Sequence, residues 1–385
     1  MDLLILAVVV IGVLALAHRI ADQNGLSPNL IWALFVVHWL VSMVYMIGLH
    51  GDWVAYIEQG RELADKNGFE FEYLTPGTNF IRAIVHFLFL QADFSTWVLF
   101  SLFQLSGFLG LVFLASTLLP FLNMDNQTLS GLIVFLPGLH VWTCAVGKDS
   151  LIFLPLCFVL YSLVYGRYSV IFLILSVVVV FMIRPHVATG LVIAAGIAAV
   201  FSSTSYSIGF KVAALVFTGI AFAILLPFLQ DFLGINFFTS ENVEGRLTRM
   251  EEKTQTGNSA VELGQYSPPM RLFTYMFRPL FLEAKSLIWL AASIENSILL
   301  IGCLLLLNIN IGLALIKNFH FPVIFALVFS VGMWLTLGSS TSNLGLAMRQ
   351  KTMFLPTMMF LFCYLRYASK TPIDLDNYYP EEEDY

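Results

Sequence analysis

The stretch Ser286-Leu-Ile-Trp-Leu-Ala-Ala-Ser-Ile-Glu-Asn-Ser-Ile-Leu-Leu-Ile-Gly-Cys-Leu-Leu-Leu-Leu307 decides the fold class. Twenty-two residues of this kind are long enough to cross a bilayer as a helix, which needs about 17–25. One carboxylate interrupts the run. At the helical rise, Glu295 lies roughly 15 Å beyond Lys285, near the middle of a hydrocarbon layer about 30 Å thick. An ionisable group at that depth costs at least about 2.5 kcal/mol and is a functional candidate by default. Just upstream runs Met270-Arg-Leu-Phe-Thr-Tyr-Met-Phe-Arg-Pro-Leu-Phe-Leu-Glu-Ala-Lys285, where aromatics and charges alternate as they do at a membrane surface.

The rest of the chain agrees. Of its 385 residues, 58% are hydrophobic and 11% charged, with a mean hydropathy of +0.83. That is too little polar surface to cover a soluble core. The apolar stretches lack the period-2 alternation of an outer-membrane barrel, so the expected fold is an all-α polytopic membrane protein. Twelve segments qualify as spans: 3–18, 30–49, 78–92, 95–120, 128–146, 149–165, 168–184, 186–201, 210–230, 286–307, 320–338 and 351–367. The reading is therefore about 11–12 transmembrane helices in a single domain, residues 1–370, with two larger outer-face loops, 50–77 and 231–285. Residues 371–385 form an acidic, disordered cytoplasmic tail ending Glu381-Glu-Glu-Asp-Tyr385, which carries part of the net charge of -6. The N-terminus lacks the basic region and cleavage site of a signal peptide and reads as a retained first span.

Cys144, Cys157, Cys303 and Cys363 fall in or beside apolar segments and read as small packing residues, without disulfide or metal-ligand spacing. No metal site, cofactor or nucleic-acid partner is expected, since neither a persuasive ligand spacing nor a basic patch with a binding motif is present. Placing Arg19, Arg167, Lys211, Lys317, Arg366 and Lys370 in the cytoplasm satisfies the positive-inside rule. That orientation requires an even number of crossings between 77 and 148, where three segments qualify. Either 78–92, with Arg82 and His86, or 128–146, broken by Pro137-Gly138, must then be re-entrant or interfacial.

Several residues are candidates for chemistry. Asp52 opens the first outer loop beside Trp53, Tyr56 and Glu58. It is either a helix N-cap or a general base whose aromatic neighbours stack on a sugar or anchor in the headgroups. In Gly147-Lys148-Asp149-Ser150, Asp149 or Ser150 caps a helix whose N-terminus welcomes an anion, and Lys148 either contacts a phosphate or snorkels to the interface. Arg184-Pro185-His186 joins two spans with almost no loop. Its guanidinium suits bidentate binding of a diphosphate, or simply sets topology. Arg246, Arg249, Arg271 and Arg278 punctuate the second loop among Glu241, Glu244, Glu251, Glu252 and Glu283, as ion pairs or as anion contacts. Pro279 is placed to be the first residue of a long helix, with Arg278 just outside its N-terminus. Arg349 enters the last span similarly. Glu295 itself pairs with a buried Arg or Lys, or with an amide such as Asn296.

The acidic first outer loop, the basic second one and Arg349 together resemble bacterial surface-polysaccharide polymerases of the Wzy and EpsG-like type. These are similar in layout to the wider GT-C class of membrane glycosyltransferases. The phrases Leu136-Pro-Gly-Leu-His-Val-Trp-Thr-Cys-Ala-Val-Gly-Lys-Asp-Ser150 and Phe277-Arg-Pro-Leu-Phe-Leu-Glu-Ala-Lys285 also look like membrane proteins of surface-polysaccharide clusters. The resemblance implies a protein of the bacterial inner membrane that joins polyprenyl-diphosphate-linked oligosaccharide units, alongside other assembly proteins. It implies Asp52 as the catalytic base. It makes Arg184, Arg246, Arg249, Arg271, Arg278 and Arg349 the diphosphate contacts; Lys148, His186, Glu283 and Glu295 are further substrate-site candidates read from the residues themselves, with Glu295 in a structural or supporting place. The competing class is a transporter or flippase of lipid-linked sugars or a small anion, using Arg184 and Glu295 inside a cavity. A third is a non-catalytic assembly subunit.

Overall fold

The computed structural model describes residues 2–49, 51–65, 74–92, 94–122, 131–166, 169–202, 206–233, 259–262, 266–284 and 286–370. Sixteen helices account for most of them: α1 (Asp2–Gln23), α2 (Pro28–Gly48), α3 (Asp52–Asp65), α4 (Thr78–Ala92), α5 (Thr96–Leu118), α6 (Pro137–Val141), α7 (Lys148–Tyr165), α8 (Val170–Ile183), α9 (Pro185–Phe201), α10 (Ile208–Leu233), α11 (Pro268–Phe277), α12 (Leu287–Leu306), α13 (Ile309–Lys317), α14 (Phe321–Ser340), α15 (Leu344–Gln350) and α16 (Leu355–Ala368). Short 3-10 turns cover Leu132–Phe135, Phe281–Glu283 and Lys351–Met353. The β pairing among the described residues is a single bridge, Ala260 to Asn343.

Local chemistry sets many of the boundaries. Gly25, at φ 66°, ends α1 in a backbone conformation that L side chains rarely adopt. Ser27 then caps α2 by accepting from the Asn29 amide, with Pro28 in the first turn. Ser286 caps α12 through the Trp289 amide, and Asn343 caps α15 through that of Leu346. Pro322 and Pro356 occupy the first turns of α14 and α16.

Among the described residues, seven helices are long and apolar enough to cross a membrane, within Leu3–Gln23, Pro28–Gly48, Thr96–Phe121, Lys148–Tyr165, Ile208–Asp231, Leu287–Leu306 and Phe321–Ser340. The protein is a multi-pass α-helical membrane protein. The other five of the twelve expected apolar segments form shorter structures. Segments 78–92, 168–184, 186–201 and 351–367 become α4, α8, α9 and α16, of 15, 14, 17 and 14 residues. Segment 128–146 is broken after its described start into a 3-10 turn, the five-residue α6 and irregular backbone. Hydropathy registers how much apolar chain there is, not where Pro137 and the residues after Val141 interrupt the ladder. Exposure patterns fit hydrocarbon as solvent. In α10 none of the apolar window is buried, with Ile208 82% and Phe217 69% exposed, whereas 83% of the window containing α5 is buried.

The chain divides into two compact units. The first is Met1–Pro120, Met124–Val159 and Ile174–Ala188; the second is Phe121–Asn123, Leu160–Leu173 and Thr189–Tyr385. Each contains a break in helical structure at the level of mid-span residues. In the first unit, a Cβ on Gly107, the twelfth of 23 residues in α5, would lie 2.2 Å from the Thr143 carbonyl oxygen. Ser42 of α2 donates to the Cys144 carbonyl at 2.9 Å. The irregular stretch 142–147 thus lies against the interior of two spans. In the second unit, Ser330, the tenth of 20 residues in α14, meets Thr357 at 2.8 Å. Lys351 Nζ donates to Asn296 Oδ1, on the tenth of 20 residues in α12. The turn between α15 and α16 therefore sits beside the middles of α12 and α14. Non-helical backbone at such depth persists only when protein covers it and its polar groups are satisfied.

Candidate functional site

In the first unit, three helix N-termini converge. Lys148 opens α7, and its Nζ donates to the hydroxyl of Thr78, which opens α4, at 2.8 Å. Gly77, just before α4, donates its amide to the Met182 carbonyl near the end of α8 at 2.8 Å, which brings in the turn to α9. At that turn Arg184 Nη2 donates to Asp149 Oδ1 at 2.7 Å, linking the starts of α9 and α7. His186, in the first turn of α9, lies within electrostatic reach of both Arg184 and Lys148.

Positive helix ends and two cations therefore share one small region, with Asp149 as internal counter-ion. Arg184 and Asp149 are 12% and 3% exposed, and the Arg184 Nε has no hydrogen-bond partner. Arg82, one turn along α4 from Thr78, donates to Asn79 at 3.2 Å. Helix N-termini, an ammonium and a guanidinium are groups whose chemistry suits an anion.

Asp52 belongs to this unit too. It stands exposed in the first turn of α3. Its aromatic neighbours turn inward rather than presenting a stacking platform. The Trp53 indole donates to the Leu49 carbonyl at 2.9 Å and packs edge-on to Phe100, while Tyr56 is buried. Arg61, on the same helix, donates to Thr96 at 2.9 Å and lies over the Phe89 ring.

The remaining described candidates belong to the second unit. Pro279 does not open a long helix. Arg278 is the C-terminal cap of α11, and α12 begins only at Leu287, behind its cap Ser286. The reason is local: Glu283 accepts from the Leu280 amide at 2.8 Å and so stabilises a separate 3-10 turn. The same carboxylate binds Arg278 through Nε and Nη2, and Tyr266 accepts from Nη1 at 3.3 Å. The hydrogen bond to Glu283 holds the Arg278 guanidinium above its ordinary pKa, against partial burial. Arg271 Nε donates to the Tyr266 carbonyl at 3.0 Å. Arg278 is thus ion-paired within its own loop, and Arg271 is tied to the loop backbone. Arg349 is half-buried in the last turn of α15, where a cation complements the helix dipole.

Glu295 is buried, and its electrostatic partner is Lys351, 1% exposed. Asn296 links that lysine to the Pro279 carbonyl, to which it donates at 3.1 Å. Arg246 and Arg249 lie outside the described residues. The four cysteines are free thiols; three are buried and Cys303 is half-buried, as packing residues should be.

Sequence reasoning had passed over Thr78, Asp149 as the partner of Arg184, and Lys351 as the partner of Glu295. Lys351 carried a legible signal, a cation heading an apolar segment, but spacing alone does not pair residues fifty positions apart. Comparison with protein-family models, curated proteins and solved structures finds no match for this chain.

Proposed function

We propose that this protein is a glycosyltransferase of the polysaccharide-polymerase type in the bacterial inner membrane. It joins oligosaccharide units carried on polyprenyl diphosphate. One observation carries the reading: the cationic meeting point of α4, α7 and α9 offers an anionic headgroup donors inside an otherwise apolar protein. A lipid-linked diphosphate has that composition, an apolar tail attached to a compact anion.

In the reaction, an acceptor hydroxyl attacks the anomeric carbon of the donor. The bond from that carbon to the diphosphate oxygen breaks, and the lipid diphosphate leaves with the electron pair. Asp52, the exposed carboxylate of the same unit, receives the hydroxyl proton. Lys148 and Arg184 stabilise the charge that develops on the departing diphosphate. A second reading, transport of a lipid-linked sugar or small anion, is favoured by the second unit. There a buried Lys351–Glu295 pair sits beside a mid-span helix break, a placement typical of transporter sites.

Reconstitution of the purified protein with a lipid-linked oligosaccharide decides between them. A ladder of longer glycans, lost in Asp52→Asn and in Lys148→Met, is expected. Movement of intact substrate across the vesicle membrane without a ladder would replace the polymerase with a transporter.

A further inference from the structure

The scheme above leaves out the one charged residue of α4, Arg82. Its Nη1 donates to a neutral acceptor, Asn79 Oδ1, at 3.2 Å, and its Nε is buried without a hydrogen-bond partner. Among the described residues no carboxylate pairs with it. A guanidinium cannot escape burial by shedding its proton, so the charge stays and needs an anion or water. The two other cations of this region are engaged differently. Lys148 donates to Thr78, and Arg184 donates to the Asp149 carboxylate.

The backbone carries Arg82 to the meeting point of the helix starts. It stands one turn along α4 from Thr78, and its bond to Asn79 folds the guanidinium back toward that start. There Thr78 accepts from Lys148, and the Gly77 amide donates to the Met182 carbonyl, two residues before Arg184. The meeting point is sunk within the protein. Ser106, the eleventh of 23 residues in α5, donates at 3.0 Å to the carbonyl of Ser150, in the first turn of α7. A Cβ on Gly110 would lie 2.5 Å from the Phe153 ring, so α7 continues beside α5 from there. The start of α7 is therefore level with the interior of α5 rather than with its end. A cation without a counter-ion close to that level is costly, and a bound anion relieves the cost through charge-assisted hydrogen bonds.

We propose that Arg82 is a substrate contact of this site and makes it select a diphosphate over a monophosphate. The inference rests on the anion-binding reading of the α4, α7 and α9 starts. With Asp149 as counter-ion, Lys148 and Arg184 leave one net positive charge among the described side chains of α7 and the α8–α9 turn. A single phosphate bridging lipid and sugar carries one negative charge, whereas a bridging diphosphate carries two. The first is matched without Arg82. The second is matched only with it.

The test is the affinity of the full chain in lipid nanodiscs for farnesyl diphosphate, farnesyl monophosphate and inorganic diphosphate, in wild type, Arg82→Gln and Arg82→Lys. Wild type should prefer farnesyl diphosphate to the monophosphate by about tenfold or more, the worth of one hydrogen bond to a charged group. Arg82→Gln should remove most of that preference by weakening the diphosphate, and Arg82→Lys, which keeps the charge, should retain most of it. An unchanged preference in Arg82→Gln overturns the role of Arg82 and leaves the anion site standing. Wild type that binds neither farnesyl ester overturns both. Inorganic diphosphate bound as tightly as farnesyl diphosphate supports the selection and assigns it to a free diphosphate instead of a lipid. Should Arg82→Gln fail to fold, 15N NMR of the wild-type arginine side chains answers: the Nε–H signal missing from Arg82→Lys should shift on adding farnesyl diphosphate, and a signal that does not move overturns the proposal.

Discussion

Replacing Asp149 by asparagine separates what holds the first unit together from what it binds. The Arg184–Asp149 pair is short, at 2.7 Å, and nearly withdrawn from water, with side chains 12% and 3% exposed. Removing one member of such a pair leaves the other charge buried and uncompensated, which costs about 3–5 kcal/mol. Asp149→Asn should therefore lower unfolding stability by that amount. The double replacement Asp149→Leu with Arg184→Leu should recover most of it, since apolar groups of similar volume often substitute for a buried pair without loss. Binding should divide the variants differently. Asp149→Asn frees the Arg184 guanidinium from its internal counter-ion and should bind a short polyprenyl diphosphate more tightly than wild type. The double variant, stable but stripped of the guanidinium, should bind it weakly. The assay is reversible unfolding in mixed micelles with and without farnesyl diphosphate. At a hundredfold excess over the dissociation constant, the ligand adds about 2.7 kcal/mol to any variant that binds it. Equal stabilisation of wild type, Asp149→Asn and the double variant would refute the anion site. A double variant as unstable as the sum of its singles would refute the account of the pair.

Other perturbations test other parts of the structure. Lys351→Met strands Glu295 in the interior of α12 and should cost about 3–5 kcal/mol, with Glu295→Gln in the same chain restoring most of the loss; a double-mutant cycle in unfolding stability measures the coupling. Gly107→Ala forces its Cβ to 2.2 Å from the Thr143 carbonyl, so α5 and the irregular stretch must separate, at about 1–3 kcal/mol; unchanged thermal stability would show that the two backbones do not touch. Arg278→Ala breaks a pair whose side chains are 21% and 27% exposed and should cost no more than about 1 kcal/mol, while an unchanged donor affinity would retire Arg278 as a diphosphate contact. Asp52→Asn should leave unfolding unaffected and abolish glycan elongation; retained elongation removes Asp52 from the mechanism.

The membrane class was legible because it depends on composition, and composition survives any arrangement of the chain. Glu295 was legible for the same reason: a carboxylate in the middle of a 22-residue apolar run is conspicuous without coordinates. Its need for a buried cation followed from solvation alone, yet the identity of that cation did not. Lys351 heads an apolar segment, and the sequence presented it as an interfacial neighbour of Arg349. Only the half-length α16, starting level with the middle of α14, carries Lys351 to Glu295. The shortness of five apolar segments has a related origin. Segments 128–146 and 351–367 are apolar enough to cross, but tertiary contacts decide that they break. His38 shows the limit most plainly. Its partner, His140, lies 102 residues away, on a five-residue helix that no periodicity marks.

The two breaks share a logic that bears on function. At mid-span depth, every freed carbonyl must find a donor from a neighbouring helix. In the first unit Ser42 of α2 serves Cys144. In the second, Asn296 reaches the Pro279 carbonyl while accepting from Lys351. Each such donor sits on a span and is fixed by the packing of that span, so each break is held rather than loose. What differs is the group placed beside it. The first unit has imidazoles beside the break and the Lys148–Thr78 and Arg184–Asp149 contacts at the following helix start. The second has an ammonium and a carboxylate that neutralise each other. A charge pair satisfied within the protein holds a break closed, whereas Arg184 keeps one donor, its Nε, without a partner. Under the proposed function, the first unit is where a substrate binds, and the second unit's charges are part of its framework. Lys351→Met should then lower stability without changing the affinity for a lipid diphosphate once the folded fraction is taken into account; a change in that affinity of tenfold or more would move the site, or part of it, to the second unit.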